Sequence, residues 1–558
     1  MTKTAAQLLV ECLAEQGTNR IFTVPGESFL AVLDALHGKT AIETVVCRQE
    51  GGAAFMACAD GAMGAADEGR PGVAFVTRGP GATNASIGVH VAHQDSQPMI
   101  LFIGDVARGM RDREGFQEVD FQAFFGPICK WAARIDDPAR IPEYVARAYS
   151  VAISGRPGPV VIALPEDMLC DAVDPALVPR PCVTRPAQAV CPDAMQALFG
   201  LIADAASPIA IIGGAGWNTK AREHFQQFAH SIGLPVATAF RRQDAIAPSS
   251  PVYAGNLGYG PNPKLVQRVK NADLVIAIGA RLGEATTDGY EVPTPEHPGQ
   301  LLVHIHPDPN ELGRVYKTDL ALACAVDEFA EAAALWEDHS IIPFDAGAQA
   351  HAEWQEWATA SLTGERPALD MAACVTAMRE ELPSDAIICN GAGNFSGWWH
   401  RYWRYDGYPT QLAPAAGAMG YGVPASVAAA LRYPDRTVVA VAGDGDFLMN
   451  AQELATAAQY GVDLLVLVID NGAYGTIRMH QEREYPARVS GTNLSNPDFA
   501  MFGAAFGAWS ATATTTEEFT TALAAAQERV GLRLIHMKIE IEQLAASGAT
   551  ISGLRAKS

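Results

Sequence analysis

Short apolar runs alternate with helical patterns along most of the chain. The clearest runs predict strands at Val73–Thr77, Met99–Ile103, Val160–Leu164, Ile209–Ile212, Leu274–Ile278, Leu301–Ile305, Thr437–Val441 and Leu464–Ile469. Several of these runs are apolar on both faces of the pleat, which is typical of strands buried between two layers of helices. The pattern therefore predicts an α/β protein built from doubly wound parallel sheets.

Two segments interrupt this alternation and predict the domain boundaries. Residues 171–192 contain five prolines and no clear periodicity, and residues 339–367 are less regular around a Trp-containing helical stretch. The predicted order is a first domain at 1–170, a linker at 171–192, a middle domain at 193–338, a second linker at 339–367, a third domain at 368–545 and a tail at 546–558. The sequence leaves open whether the two outer domains are copies of one fold.

Composition and charge exclude several classes of protein. The chain has 558 residues, is 49% hydrophobic and 18% charged, and carries a net charge of −22, which disfavours binding to nucleic acid or to anionic membranes. Even a long apolar run such as Leu464–Ile469 falls far short of the ~20 residues of a membrane span. The N-terminus lacks a signal-peptide pattern, and the ten cysteines have no CxxC spacing. We expect a soluble cytoplasmic protein with reduced thiols.

The most specific chemical signal is Gly443-Asp444-Gly445, which follows a predicted strand. Asn471 lies 27 residues beyond Asp444 (471 − 444), after a helical stretch and a second strand. One right-handed βαβ unit would bring both side chains to the carboxyl ends of neighbouring strands, where open α/β sheets bind ligands. A carboxylate and an amide oxygen suit Mg²⁺, and the glycines let a phosphate approach the backbone. The alternative is two unrelated turns.

This spacing resembles the thiamine diphosphate signature, and its surroundings resemble the acetolactate synthase family. The flanking sequence is VVAVAGDGDFLMNAQELATA and LLVLVIDNGAYGTIR. Further family-like blocks occur in family order over nearly the whole chain, namely CRQEGGAAFMACADG, RGPGATN, GFQEVDF, RPGPVVIALPEDM and GAMGYGVPA. The resemblance implies three doubly wound parallel-sheet domains: pyrimidine-binding, middle and diphosphate-binding.

The resemblance also implies a set of cofactor contacts. Mg²⁺ would be bound by Asp444, Asn471 and the backbone carbonyl of Ala473, and would bridge to the diphosphate of thiamine diphosphate. The implied cofactor-binding residues are Pro25, Gly26, Glu50, Asn84, Gly391, Gly393, Asn394, Phe395, Gly417, Met419, Gly443, Asp444, Gly445, Asp446, Asn471, Tyr474, Gly475 and Thr476. Met419 would support a bent cofactor, and Gly417 would hold the pyrimidine edge.

Glu50 is the candidate for activating the cofactor. It follows a strand-like run and opens a helix rich in small residues, so on its own it could be a carboxylate favoured by a helix N-terminus. The cofactor, however, needs one carboxyl group hydrogen-bonded to its pyrimidine ring, and Glu50 lies where the family has that residue. Because Glu50 is in the first domain and the metal site in the third, the resemblance implies a homodimer or homotetramer with active sites between subunits.

The predicted substrate pocket departs from the family pattern. Gln117 resembles a family residue over the reactive centre and is a candidate catalytic residue, although it could merely cap a helix. The other candidate pocket residues are Glu27, Ser28, Ile477 and His480. Thr476 and His480 stand where the family tends to have Met and Trp, and Glu166 stands where Lys is usual. The segment around Arg281 lacks the acidic run associated with flavin contact, so a bound FAD is doubtful.

Together these features predict an enzyme that decarboxylates a small, pyruvate-like 2-oxo acid and joins the product to a second carbonyl compound. Within the thiamine diphosphate class, the alternatives are an acyloin lyase/ligase acting on aldehydes, a simple decarboxylase and an oxidase that needs FAD. From another class, the glycines after Ile209–Ile212 would allow a nicotinamide-dependent dehydrogenase, but they lack the third glycine and the acidic ribose ligand of that fingerprint. The departures from the family favour relaxed acceptor choice.

Overall fold

Three parallel sheets, each of six strands, organise the chain in a computed structural model. The structure describes residues 3–67, 69–214, 216–293, 299–336 and 341–556. The ends of the predicted first domain and tail, at 1–2 and 557–558, lie outside the described residues. The same holds for 337–340, where the middle domain was predicted to meet the second linker, and for Ala215 in the glycine-rich turn.

The strands follow one another in chain order through the three sheets. The first sheet contains β1 Arg20–Thr23, β2 Glu43–Val46, β3 Gly72–Val76, β4 Met99–Asp105, β5 Trp131–Arg134 and β6 Pro159–Pro165. The second contains β7 Pro208–Ile212, β8 Val236–Thr238, β9 Tyr253–Asn256, β10 Leu274–Ile278, β11 Leu301–Ile305 and β12 Leu320–Leu322. The third contains β13 Ile387–Asn390, β14 Gln411–Leu412, β15 Val438–Gly443, β16 Leu464–Asp470, β17 Trp509–Ala513 and β18 Leu532–Lys538.

Helices connect these strands and cover the sheets. Up to the end of the first sheet they are α1 Ala5–Glu15, α2 Leu30–Leu36, α3 Glu50–Asp67, α4 Gly79–Asp95, α5 Phe121–Phe125, α6 Ile141–Ile153 and α7 Glu166–Leu169. Next come α8 Pro192–Asp204, α9 Thr219–Ser231, α10 Pro263–Asn271, α11 Val326–Ala334 and α12 Ala346–Trp357. The remainder are α13 Met371–Glu381, α14 Ser396–Tyr402, α15 Gly422–Arg432, α16 Asp444–Phe447, α17 Leu454–Gln459, α18 Gly475–Glu484, α19 Phe499–Ala505, α20 Thr516–Gln527 and α21 Ile551–Arg555.

The strand orders reveal a repeated topology. The first sheet has the order β2-β1-β3-β4-β6-β5, and the third repeats it as β14-β13-β15-β16-β18-β17. The second sheet differs, with the order β12-β11-β10-β7-β8-β9. The outer two sheets therefore share one topology, a relation that the sequence left open. The predicted fold class is confirmed.

All eight strands predicted from apolar runs are present, with ends shifted by at most two residues. The strands β3, β4 and β6 are buried along their whole length. Burial on both faces is expected where helices cover both sides of a parallel sheet, and it explains why these strands lack polar alternation.

The chain divides into two compact units. The first comprises residues 1–186, 424–432 and 450–460, and so holds the first sheet together with α17 and most of α15. The second comprises residues 187–423, 433–449 and 461–558, and holds the second and third sheets. Two segments that lie near strands of the third sheet in sequence thus pack within the first unit.

The proline-rich segment between α7 and α8 is held in place by α1 of the same unit, although it forms no helix or strand of its own in the described chain. The amide nitrogen of the buried Gln16 donates to the carbonyls of Arg180 (3.0 Å) and Pro181 (3.1 Å). Its amide oxygen accepts from the N–H of Val183 at 3.0 Å. One buried side chain thus satisfies backbone groups of an extended segment.

The structure bears on two expectations from composition, which concern the cysteines and membrane-spanning helices. None of the ten cysteines forms a disulfide bond in the described chain, and seven of them are buried. Within the described residues, no helix combines the length and the apolar character that a membrane crossing requires.

Close packing of α3 against α4 depends on small residues. A Cβ added at Gly88 of α4 would lie 2.4 Å from the Cβ of Ala54 in α3 and 2.7 Å from its backbone carbon. Contacts this short cannot form without moving a helix backbone. Because α3 begins at Glu50 and α4 carries Asn84, this packing sets the distance between two candidate site residues.

We predict that Gly88→Ala lowers the free energy of unfolding by about 1–3 kcal/mol, since it overpacks the contact between α3 and α4. The matched control is Gly200→Ala in α8, where an added Cβ meets nothing within 4 Å. The control should gain about 0.8–1.0 kcal/mol from helix propensity alone. Denaturant unfolding of both variants measures the difference, and equal effects at the two positions would contradict the packing argument.

Candidate active site

A cavity of about 230 Å³ opens at the carboxyl ends of β13, β15 and β16 in the second unit. Its lining contains many residues predicted from the sequence: Gly393, Asn394, Phe395, Gly417, Met419, Gly443, Asp444, Gly445, Asp446, Asn471, Ala473, Tyr474, Gly475, Thr476 and Ile477. Gly391 and the exposed His480 do not line it in the described chain. Residues from four separate loops thus meet where parallel sheets bind ligands.

Asp444 and Asn471 lie at the ends of two neighbouring strands. Gly443, the last residue of β15, pairs with Ile469 in β16, so the residues that follow both strands emerge at one edge of the sheet. Asp444 is 3% exposed; one of its oxygens accepts from the N–H of Gly445 at 2.9 Å and the other from the amide of Asn496 at 2.8 Å. The Asn471 side-chain oxygen accepts from the N–H of Ala473 at 3.1 Å.

The surroundings of Asp444 favour a positive charge at this position. Burial raises the pKa of Asp444, and the nearby Asp470 acts in the same direction. Burial opposes ionisation of Asp470 too, but hydrogen bonds from His536 and Asn496 hold its pKa below the ordinary value. Two acidic groups that share one amide donor, Asn496, concentrate negative potential beside the cavity.

Asp446 connects three turns that form the cavity. One carboxylate oxygen accepts from the N–H of Gly420 at 2.7 Å and from the N–H of Ala392 at 3.3 Å. The other oxygen is buried and has no hydrogen-bond partner among the described residues. Burial raises the pKa of Asp446 to about 7, although both N–H groups act in the opposite direction. A Cβ at Gly391 would lie 2.1 Å from this carboxylate, which explains the glycine.

The glycine-rich turn after β13 meets the start of α18. The N–H of Asn394 donates to the hydroxyl of Thr476 at 2.9 Å. Gly417, on a third turn, has φ +70° and open space around it, so it needs the left-handed conformation while leaving the cavity wall free. These turns present backbone groups to the cavity with few side chains in between.

Glu50 lies in the first unit and is held by a polar side chain of α4. Its carboxylate accepts from the amide of Asn84 at 3.0 Å. The N–H groups at the start of α3 bond elsewhere: Gly52 donates to the Gln49 side chain at 3.0 Å, and Gln49 donates to Glu453 at 3.0 Å. The carboxylate of Glu50 is therefore engaged by Asn84, while other side chains satisfy the helix start.

Gln117 adopts a conformation that few non-glycine residues adopt. Its φ is +64°, and its carbonyl accepts from the N–H of Gly79 at 3.0 Å. A Cβ at Gly79 would lie 2.7 Å from that carbonyl oxygen. Backbone outliers of this kind cluster at functional sites.

The turn with Pro25, Gly26, Glu27 and Ser28 follows β1, with Pro25 exposed. Ser28 is fully buried, and its hydroxyl bonds that of Thr77 at 2.9 Å. A Cβ at Gly26 would lie 2.5 Å from Thr77, so close packing needs the glycine. Ser28 thus supports the turn from below, whereas Glu27 faces outward.

Arg78 joins two carboxylates beside Gln117. Its guanidinium donates to Glu27 at 2.8 Å and to Glu166 at 2.8 Å, and it lies 5.8 Å from the ring centroid of Phe116. The Arg78 side chain is 9% exposed, whereas Glu27 is 66% and Glu166 40% exposed. With two acidic groups and one basic group, the cluster of Arg78, Glu27 and Glu166 carries a net negative charge.

Sequence reasoning missed several residues of these sites. The cavity is also lined by Ala392, Trp398, Ile469, Ile539, Gln543 and Leu544. The C-terminal segment that carries the last three is anchored nearby, since Arg555 in α21 donates to Glu482 in α18 at 2.7 and 2.8 Å. Arg78 lies within the quoted block RGPGATN, and an arginine before two glycines was the available signal.

Elsewhere the glycines after β7 have a packing role. A Cβ at Gly214 would lie 1.9 Å from the carbonyl oxygen of Gly279. The Trp217 ring nitrogen donates to the carbonyl of Gly213 at 3.0 Å. Close approach of two loops therefore accounts for these glycines without a dinucleotide.

Among the described residues, no group of three or more His, Cys, Asp or Glu side chains is arranged to hold a metal ion. A ligand set of one carboxylate, one amide and one backbone carbonyl contains only one side chain of those four types.

Comparison with known proteins identifies the family. Three family models match: the N-terminal TPP binding domain of thiamine pyrophosphate enzymes over residues 3–124, the central domain over 195–333 and the C-terminal TPP binding domain over 391–537. The acetolactate synthase large subunit of Corynebacterium glutamicum is 30% identical, over 94% of this chain and 85% of that protein. The acetolactate synthase isozyme 1 large subunit of Escherichia coli is 29% identical, over 97% of this chain and 94% of that protein.

These matches extend over all three sheets and include the loops that form the cavity. The Gly443-Asp444-Gly445 turn and Asn471 both lie within the range of the C-terminal model, and Glu50 lies within that of the N-terminal model. The chain therefore belongs to the thiamine pyrophosphate enzymes and, within them, is an acetolactate synthase-like enzyme.

Proposed function

We propose that the protein is a thiamine diphosphate- and Mg²⁺-dependent carboligase that uses a small, pyruvate-like 2-oxo acid as donor and a second carbonyl compound as acceptor. The observation that carries the proposal is the meeting of Asp444, Asn471 and two glycine-rich turns in one cavity. Oxygen ligands beside glycine-rich turns suit a hard cation that is bound together with phosphate oxygens.

The residues at the cavity fit the cation. Asp444 brings a buried carboxylate and Asn471 an amide oxygen, which are ligand types that Mg²⁺ prefers. Asp444 and Asn471, with the backbone carbonyl of Ala473, would hold Mg²⁺. The nearby Asp470 adds negative potential that a divalent cation would offset.

The residues also fit the diphosphate and the pyrimidine. Backbone groups of Gly393, Asn394 and Gly475 would face the diphosphate, and Met419 would support the bent cofactor. The half-buried Met419 lines the cavity. The other cofactor-binding residues that the family resemblance implies complete the proposed contacts.

Glu50 would hold a proton at its carboxyl group and share it with the pyrimidine ring. Asn84 fixes one carboxylate oxygen at 3.0 Å, which restricts the direction in which Glu50 can present the other. When bound, thiamine diphosphate supplies an electron sink that lets the donor lose CO₂ and its carbonyl carbon attack the acceptor. Gln117, held by its contact with Gly79, would orient the reacting carbonyl groups by hydrogen bonding.

We include a homodimer or homotetramer in the proposal. Glu50 belongs to the first unit and the cavity to the second, and the acetolactate synthase resemblance implies that a cofactor is shared between two subunits. The domain boundaries and linkers predicted from the sequence are part of the same proposal.

A flavin is not part of the proposal. The second unit contains a cavity of about 90 Å³ lined by Arg281, Tyr290 and Tyr316. Glu311 engages Arg281 at 3.3 Å and Arg314 at 2.8 Å, so both guanidinium groups at this cavity are paired with a buried carboxylate. This pairing argues against a flavin phosphate at these two arginines.

The contacts of Arg78 favour an acceptor without a carboxylate. Glu27 and Glu166 both accept hydrogen bonds from its guanidinium. A lysine at position 166 could not offset the positive charge of that guanidinium. The net negative charge of this cluster beside Gln117 would disfavour a second 2-oxo acid as acceptor and let neutral aldehydes compete. Loss of one charge-assisted hydrogen bond to the carboxylate of a 2-oxo acid acceptor costs about 1.5–3 kcal/mol. This corresponds to roughly 10- to 100-fold in preference for that acceptor.

Asp444→Ala should abolish Mg²⁺-dependent retention of thiamine diphosphate, since the diphosphate would lose its bridging cation. Titration calorimetry with and without Mg²⁺ measures the affinity. The control is Asp498→Ala, which removes the N-cap of α19 and costs about 1 kcal/mol of stability without touching the cavity. Wild-type affinity in Asp444→Ala would overturn the assignment.

Glu50→Gln should leave cofactor affinity intact but slow proton exchange at the thiazolium C2 of bound thiamine diphosphate by about 100-fold or more. Quench-flow NMR measures this exchange. The control is Glu43→Gln, an acidic residue at the start of β2 that pairs with Arg20 at 2.8 Å. Exchange at the wild-type rate would show that Glu50 only stabilises a helix start.

Competition between pyruvate and acetaldehyde at equal concentration tests the acceptor. The wild type should form the aldehyde-derived hydroxyketone, and Glu166→Lys should shift the products toward acetolactate by about 10-fold or more. Asp167→Asn is the control, because Asp167 pairs with Arg108 instead of Arg78. Near-exclusive acetolactate formation by the wild type would contradict the proposed acceptor choice and indicate the specificity of an ordinary acetolactate synthase.

A further inference from the structure

The turn that carries Glu50 is tied down by a segment from a distant part of the chain. The turn spans Cys47 to Gln49, between the edge strand β2 and helix α3. The distant segment, residues 450–460, contains the short 3-10 helix Ala451–Glu453 and α17. Both belong to the first unit.

Glu453 makes the central contacts of this segment. It is fully buried, and one carboxylate oxygen accepts from the N–H groups of Arg48 and Gln49, both at 3.0 Å. The other oxygen accepts from the hydroxyl of Thr456 at 2.6 Å. The two backbone donors are those of the residues directly before Glu50.

Further contacts hold the approach to the turn. The hydroxyl of Tyr460 accepts from the N–H of Val46 at 2.8 Å and donates to the carbonyl of Thr44 at 2.9 Å. Arg48 donates to the side chain of Gln459 at 2.6 Å. Since β2 is an edge strand, the two bonds to Tyr460 satisfy backbone groups that no neighbouring strand would satisfy.

The first turn of α3 is shaped around the same carboxylate. A Cβ at Gly52 would lie 2.7 Å from a Glu453 oxygen and 3.0 Å from its Cγ. A glycine there lets Glu453 lie against the helix start, where its charge interacts favourably with the helix dipole. The side chain thus contacts both sides of Glu50 along the backbone.

A buried carboxylate is a costly way to cap a helix. Burial raises the pKa of Glu453, although Thr456 and the two backbone N–H groups act in the opposite direction. A serine or threonine at the N-cap would satisfy such groups without burying a charge. The cost suggests that holding this turn in one geometry matters for more than stability.

We propose that Glu453 is a positioning residue for Glu50. By holding the N–H groups of Arg48 and Gln49, it sets the backbone direction from which the Glu50 side chain leaves α3, while Asn84 fixes the carboxylate itself. A displacement of about 1 Å at a reacting group can cost 100-fold in rate. The inference rests on the role of Glu50 under the proposed function.

The test is Glu453→Gln in the full-length protein. Glutamine keeps the size of the side chain but places an NH₂ group where one acceptor was. We expect C2 proton exchange of bound thiamine diphosphate to slow by about 10- to 100-fold, with thiamine diphosphate affinity and KM for pyruvate changed by less than about twofold. Without cofactor, amide hydrogen exchange of residues 45–52 should become faster.

The matched control is Asp244→Asn. Asp244 is also a buried carboxylate, 3% exposed, and accepts from two consecutive backbone N–H groups, those of Thr410 at 3.0 Å and Gln411 at 3.1 Å. It belongs to the second unit, whereas Glu50 belongs to the first. The control should lose thermal stability to a similar extent but keep the C2 exchange rate and the amide protection of residues 45–52.

The outcomes separate this inference from the proposed function. Slow C2 exchange in both Glu50→Gln and Glu453→Gln, with a wild-type rate in Asp244→Asn, supports it. Slow exchange in Glu50→Gln alone overturns the role of Glu453 only, and wild-type exchange in both overturns the role of Glu50 as well. If Glu453→Gln does not fold, Glu453→Asp retracts the carboxylate by one methylene and must slow exchange for the inference to stand.

Discussion

The buried carboxylate of Asp446 holds together the turns on which the candidate site depends. It accepts the N–H groups of Gly420 and Ala392, so the loops after β13, before α15 and after β15 share one acceptor. All three strand ends lie on one edge because the sheet is parallel. This arrangement brings Asp444 and Asn471 into one cavity, and the proposed cation and diphosphate contacts follow from it.

The repeated strand order of the outer sheets accompanies a division of roles. The third sheet uses its carboxyl edge for the candidate cavity, while Glu50, Arg78 and Gln117, which has a positive φ, lie at the corresponding edge of the first sheet. In the first unit, Asn84 holds Glu50, and Glu453 holds the turn before it. Under the proposed function, one fold supplies the metal ligands in one copy and the activating carboxyl group in the other.

The strands and the position of the proposed metal ligands were predictable because they depend on local order. Apolar runs gave eight strands, and once two strands are adjacent and parallel, Asp444 and Asn471 must emerge together. Arg78 with Glu27 and Glu166 was not predictable, since the three residues are far apart in sequence and opposite charges alone do not identify a pair. The tie from Glu453 to the Glu50 turn was hidden for the same reason, because 405 residues separate Glu453 from Arg48. The cavity-lining residues Ile539, Gln543 and Leu544 follow β18 and carry no motif.

The most direct test of the central claim is a crystal structure of the protein grown with Mn²⁺ and thiamine diphosphate, with the metal located by its anomalous scattering. The account predicts one strong peak in the cavity, within bonding distance of the Asp444 carboxylate, the Asn471 amide oxygen and the cofactor diphosphate. A cofactor bound elsewhere, or bound in this cavity with the metal peak away from Asp444 and Asn471, would contradict it.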